Sequence, residues 1–121
     1  MANILVAEDE AILRMLITDT LEDEGYIVAT ASDGEEALRM IEAYDYDLAV
    51  LDHMMPKLTG LEVIGAVRAS AACNQLKMMM LSAKSQQSDR EHALAQGADE
   101  FMSKPFSPRD LARKVGEMLN G

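Results

Sequence analysis

Five short apolar runs, each followed by a longer stretch with helical spacing, leave a chain of this kind few ways to fold. The runs are Asn3–Ala7, Ile27–Ala31, Leu48–Leu51, Lys77–Leu81 and Asp99–Met102, and no low-complexity linker interrupts them. Several are apolar on consecutive residues rather than on alternate ones. That pattern fits strands of a parallel sheet covered by helices on both faces, and it predicts a repeated βα unit. With 121 residues there is room for one hydrophobic core, so residues 1–121 are read as a single domain.

The intervening segments carry helix signals. The first helix is expected from Glu10 to Glu24, with Leu13, Leu16, Ile17 and Leu21 on its inner stripe and Gly25 just past its end. Ser32 and Glu35 have the spacing of a capping box ahead of Ala37, Leu38 and Ile41, and a third helix should follow Gly60. A polar fourth helix is expected to start near Ser85 or Ser88 and to stop before Gly97. The last has Ser107 as N-cap, Pro108 at the first helical position and Asp110 at the third. Leu111, Val115, Met118 and Leu119 form its apolar stripe, and it should end at Gly121.

Five units with right-handed crossovers are too few for an eight-stranded barrel, so the fold class is α/β with an open, doubly wound parallel sheet. Such sheets place ligands outside the carboxyl ends of their strands, where the strand order reverses. The charge distribution points to the same region. Residues 1–60 carry 14 acids against 3 bases, whereas residues 61–121 carry 7 acids against 8 bases. The acidic half would attract a cation, and the overall charge of -10 argues against direct contact with a nucleic acid backbone. One cysteine, Cys73, cannot form an internal disulfide, and no run of about 20 apolar residues is present. The expected setting is cytoplasmic, with Cys73 structural and no membrane partner.

The residue just past each strand gives Glu8 and Asp9, Asp52, Ser82 and Lys104. Each has a plain reading alone: a solvated acidic pair, a turn residue, a helix cap, an exposed lysine. Together they fall on one edge of the sheet. Three carboxylates there would repel, by about 4 kcal/mol for each pair of unit charges about 4 Å apart at an intermediate dielectric. A hard divalent cation that takes carboxylate and water oxygens, Mg²⁺ or Mn²⁺, would relieve this, and Lys104 adds a second positive charge. Carboxylate, metal, lysine and hydroxyl are the parts needed for phosphoryl transfer, with one carboxylate as the nucleophile of an acyl phosphate. His53 should point away from these groups, His92 has no partner in view, and the Met78, Met79, Met80 run reads as strand core.

Four segments carry a resemblance along essentially the whole chain. They are Ile4 to Glu10 (ILVAEDE), Leu51 to Gly60 (LDHMMPKLTG), Leu81 to Ala83 (LSA) and Gly97 to Phe106 (GADEFMSKPF). In this order and spacing the chain resembles the receiver domains of bacterial two-component response regulators, of the single-domain chemotaxis-regulator kind. The resemblance implies a flavodoxin-like (βα)5 sheet of strand order 2-1-3-4-5. It implies Asp52 as phosphoacceptor, Asp9 as direct Mg²⁺ ligand, Glu8 acting through water, and the backbone carbonyl of Met54 as a further ligand. Ser82 takes the place of the hydroxyl that bonds a phosphoryl oxygen, Lys104 that of the lysine that pairs with it, and Lys104-Pro105 that of a cis bond. Phe101 stands at the switch aromatic, without the hydroxyl of the commoner tyrosine.

The function implied is that of a phosphoacceptor that catalyses only its own phosphorylation and dephosphorylation. Its partners would be a histidine kinase or histidine phosphotransfer protein and a downstream effector protein. Phosphorylated Asp52 would draw Ser82 inward, Phe101 would turn into the vacated space, and the surface of the fourth helix, fifth strand and fifth helix would change. Lys84 and Met54 would flank the approach of water. The last helix at the chain terminus suggests a stand-alone receiver. The competing readings are a small aspartyl-phosphate hydrolase or phosphotransferase and a flavodoxin-like electron carrier. The former would need a second acid where Met54 stands and a substrate-capping insertion. The latter would need a Ser/Thr/Gly-rich phosphate loop after the first strand.

Overall fold

A computed structural model describes residues 1–84 and 86–120. Five strands alternate with five helices: β1 (Asn3–Ala7), α1 (Ala11–Asp23), β2 (Ile27–Ala31), α2 (Gly34–Ala43), β3 (Leu48–Asp52), α3 (Gly60–Ala69), β4 (Lys77–Ser82), α4 (Gln87–Gln96), β5 (Glu100–Ser103) and α5 (Pro108–Asn120). All strand pairs are parallel, and the sheet order is β2-β1-β3-β4-β5. The expected α/β class and strand order are both found.

The consecutive apolar runs have the predicted cause. Ile4 and Val6, Leu48 and Val50, and Met79 and Leu81 face α1 and α5, where they pack on Ile17, Leu21, Leu111 and Val115. The residues between them, Leu5, Ala7, Ala49, Leu51, Met78 and Met80, face the other way onto α2, α3 and α4. Side chains alternate across a strand, so a strand buried on both faces must be apolar throughout. The three consecutive methionines are thus split between the two layers.

Local boundaries differ from the sequence reading in small ways. Helix α1 keeps Glu10 and Glu24 as its caps, and Gly25 follows with φ of 93°, a left-handed turn that glycine adopts without a steric penalty. Helix α2 is capped one residue later than expected. The Asp33 carboxylate accepts the Glu36 N–H at 2.8 Å, and Glu36 reaches back to the Ser32 N–H at 2.7 Å. A charged acceptor at a helix N-terminus outcompetes the serine hydroxyl. The fourth helix has Gln86 as N-cap, with Ser88 inside it, while Ser85 lies outside the described residues, as does Gly121. Strand β5 begins at Glu100 rather than Asp99, whose carboxylate accepts the Met78 N–H and pairs with Arg68, each at 2.8 Å. Ser107 caps α5 as expected, accepting the Asp110 N–H at 3.0 Å. Its other end is held by Lys77, which donates to the Met118 carbonyl at 2.6 Å.

Candidate phosphoryl-transfer site

All five polar residues read from the strand ends meet at the carboxyl edge of β1, β3, β4 and β5. Asp52 and Ser82 are the last residues of β3 and β4 rather than the first past them, Glu8 follows β1, and Lys104 follows β5. Asp52 is held in the ladder opposite Leu81, and the Lys104 N–H donates to the Ser82 carbonyl at 2.8 Å, so each side chain leaves a fixed backbone. Gly60 makes the end of β3 possible. Its N–H donates to the His53 carbonyl at 2.8 Å, and a Cβ at that position would lie 2.6 Å from the Asp52 carbonyl oxygen. Helix α3 can therefore start against the end of β3 only with glycine there.

The Lys104 ammonium is the centre of the arrangement. Its Nζ lies 2.7 Å from Asp52 Oδ1 and 3.1 Å from Glu8 Oε1. Both carboxylates are buried, at 4% and 1% exposure, and Asp9 beside them is exposed. Oxygens of Glu8, Asp9 and Asp52 all lie within 4.8 Å of one another. One lysine does not balance three carboxylates, and the electrostatics record this. Burial first, then the charge of Asp52, push the Glu8 carboxyl up from 4.5 to about 7, against the opposing pull of Lys104. Burial pulls the Lys104 ammonium down, but its hydrogen bonds to Asp52 and Glu8 prevail and raise it.

The donor set fits a hard divalent cation. It consists of oxygen only, it carries excess negative charge, and burial first, then the charge of Asp52, already drives Glu8 toward protonation. Glu8, Asp9 and Asp52 are the side chains that would hold such an ion.

The remaining residues fall into place unevenly. The Ser82 hydroxyl is buried and accepts the Lys84 N–H at 3.0 Å. The side chain of Met54 is 65% exposed. Phe101 is 6% exposed and packs in the core layer beneath α4, so its ring is already inward in this state. The Lys104-Pro105 bond is cis, as expected. Burial first and then Lys84 lower the basicity of His53, against the opposing charges of Asp52 and Asp89. Two residues escaped the sequence reading. Arg14 donates to the Glu8 carbonyl at 2.7 Å, and Lys57, at φ of 73°, pairs with Asp33 at 3.6 Å. The only signal for Arg14 was a base five residues past an acidic pair, on the helix that the pair leads into.

An open parallel sheet with an acidic cluster and a lysine at its carboxyl edge defines an α/β domain of the receiver class. The chain belongs to the response regulator receiver domain family, whose model matches residues 4–116. It is 45% identical to the alkaline phosphatase synthesis transcriptional regulatory protein PhoP of Bacillus subtilis over 116 residues, covering 96% of this chain and 48% of that protein. The chain spans about half the length of the curated relatives it matches. Among solved structures it superposes on a Francisella response regulator receiver domain with a TM-score of 0.95 at 30% identity, covering 99% and 98% of the two chains. It is also similar to the receiver domain of a Pseudomonas aeruginosa sensor histidine kinase, with a TM-score of 0.91 at 29% identity over 99% and 98% of the chains. That structure has a magnesium ion coordinated in its active site cleft. Among the described residues, no helix is long and apolar enough to cross a membrane.

Proposed function

We propose that Asp52 accepts a phosphoryl group from a phosphohistidine and that the acyl phosphate changes the contacts this domain makes with an effector protein. The observation that carries the reading is the Lys104 ammonium bridging Asp52 and Glu8, with Asp9 in reach of both carboxylates. An Asp52 oxygen attacks phosphorus, the P–N bond to the donor imidazole breaks, and the imidazole leaves with the electron pair and takes up a proton. Lys104 moves from the free carboxylate to a phosphoryl oxygen, and the Ser82 hydroxyl, whose proton is not used in accepting the Lys84 N–H, donates to another. Asp9, Asp52 and the Met54 carbonyl, with Glu8 acting through water, would hold Mg²⁺, which would supply positive charge against the phosphoryl oxygens. Hydrolysis reverses the modification when water attacks phosphorus and the Asp52 carboxylate departs.

The partners follow from the same geometry. The donor imidazole has to reach a buried carboxylate, so its protein must rest on the rim. Exposed Ile12, Met15 and Leu16 on α1 and exposed Met54 supply apolar surface for such a contact with a histidine kinase or phosphotransfer protein. The output surface is α4, β5 and α5, reached through Ser82 and the backbone of β5. Since Phe101 is already inward, its part in the switch would be to stay locked rather than to turn in. The domain acts on no substrate but itself, and it works in the cytoplasm, where such kinases deliver their phosphoryl groups. The length of the full gene product separates a stand-alone receiver from one joined to an output domain.

The test is incubation with acetyl phosphate and Mg²⁺, followed by intact mass. The wild-type chain should gain one phosphoryl group and Asp52→Asn none. An adduct that survives the substitution would exclude Asp52 as the acceptor.

A further inference from the structure

We infer that Arg14 is a positioning residue for the cation site, a role that rests on the Mg²⁺ reading above. The Arg14 guanidinium donates from Nη1 to the backbone carbonyl of Glu8 at 2.7 Å, across six residues of chain. On its other side, the Glu8 N–H donates to the Ala31 carbonyl of β2 at 3.1 Å. Residue 8 is therefore held at both its amide and its carbonyl, once by the neighbouring strand and once by the helix that follows.

The carbonyl that Arg14 holds belongs to the peptide plane joining Glu8 to Asp9. Six atoms from one Cα to the next lie in that plane, so fixing its oxygen fixes the Cα of Asp9 as well as the direction in which Glu8 leaves the chain. One hydrogen bond therefore bears on the backbone of two of the three carboxylates of the cluster. Without it, mutual repulsion with Asp52 would favour a loop that swings the acidic pair outward, since Asp9 is exposed and its side chain has solvent to move into.

Arg14 is suited to this work by its own anchoring. It lies on α1, with its N–H bonded to the Glu10 carbonyl at 2.9 Å and its carbonyl accepting the Thr18 hydroxyl at 2.8 Å. Its side chain is half-buried, and it is one of only three bases in the acidic half of the chain. The fork of the guanidinium keeps its charge at any working pH.

The inference has a sign that separates it from plain electrostatics. A positive charge beside a cation site repels the cation, so removal of Arg14 for its charge alone would tighten Mg²⁺ binding. Removal of a group that orients ligands weakens it, by about tenfold for residues that hold metal ligands in place.

The experiment is calorimetric titration of the full chain with Mg²⁺ at fixed ionic strength, for wild type, Arg14→Ala and Arg14→Lys. Arg14→Ala should bind about tenfold more weakly, and Arg14→Lys, which retains a donor, should recover part of the loss. If Arg14→Ala does not fold, Arg14→Met keeps the aliphatic stem and carries the same expectation, with its far-ultraviolet circular dichroism matched to wild type. Binding by the alanine or methionine variant as tight as wild type, or tighter, overturns the inference. A wild-type chain that binds no Mg²⁺ overturns the cation site itself, which is a distinguishable failure.

Discussion

Helices α1 and α4 stand on opposite faces of the sheet, and each follows a loop that leaves a site residue: α1 comes after Glu8 and Asp9, α4 after Ser82. They are held very differently. Helix α1 buries Ile17 and Leu21 against the strands and α5, and its first turns are tied to the acidic pair through Arg14. Helix α4 buries Ala93 alone. Its remaining ties are polar and at the edge, among them Arg90 reaching the Phe101 carbonyl and Glu100, each at 3.4 Å. Such a helix has little apolar burial to lose when it shifts. The difference teaches how one small domain could combine a fixed chemical site with the changing surface proposed above: the side that collects charge is anchored in the core, and the side that would report is not.

The largest test of this contrast is a pair of substitutions. Ile17→Ala should lower the unfolding free energy by about 2 to 5 kcal/mol. Leu94→Ala on α4, where the side chain is 38% exposed, should lower it by less than about 1 kcal/mol. Urea unfolding of both variants measures the two costs, and equal losses would erase the distinction between the helices.

A middle-sized effect comes from the anchored side. Burial and then Asp52 raise the Glu8 carboxyl from 4.5 to about 7, so the metal-free folded state holds a proton that the unfolded chain has released between those values. Metal-free stability must therefore fall as pH rises through that window. A cation at the cluster displaces the proton, so the increase in Tm on adding Mg²⁺ should be larger at pH 8 than at pH 6. An increment that does not depend on pH would mean that Glu8 is not part of the cation site.

The smallest effect lies on the reporting side. Lys84 is exposed, and only its backbone N–H is bonded to Ser82 in this state. Lys84→Ala leaves that bond in place and removes an ammonium that, on the proposed reading, would pair with a phosphoryl oxygen where water approaches. Loss of the aspartyl phosphate should quicken by about twofold to fivefold, the scale of an exposed ion pair. A decay rate equal to wild type would remove Lys84 from the account.

The sequence carried the fold because burial on both faces leaves a direct mark: β1, β3 and β4 are apolar at their core positions. It placed Asp52, Glu8, Asp9, Ser82 and Lys104 at one edge of the sheet because strand ends could be located to within a residue. The resolution stopped there. Asp33 in place of Ser32 as a cap was decided by which side chain found a backbone N–H three residues on, and β5 starts one residue later than expected, at Glu100. Arg14 was invisible for a related reason. Its partner is a backbone carbonyl, which no residue type announces. Phe101 was placed at its position by resemblance, but its inward ring follows from packing against the layer beneath α4.

The central claim is that Asp52 becomes a nucleophile only in the company of the charges around it. Borohydride reduction of the chain after treatment with acetyl phosphate converts an acyl phosphate to homoserine, and peptide mass mapping then shows where it formed. The account predicts conversion at Asp52 alone, present with Mg²⁺ and lost when the metal is chelated. Conversion at another acidic residue, or at Asp52 to the same extent without the metal, would contradict it.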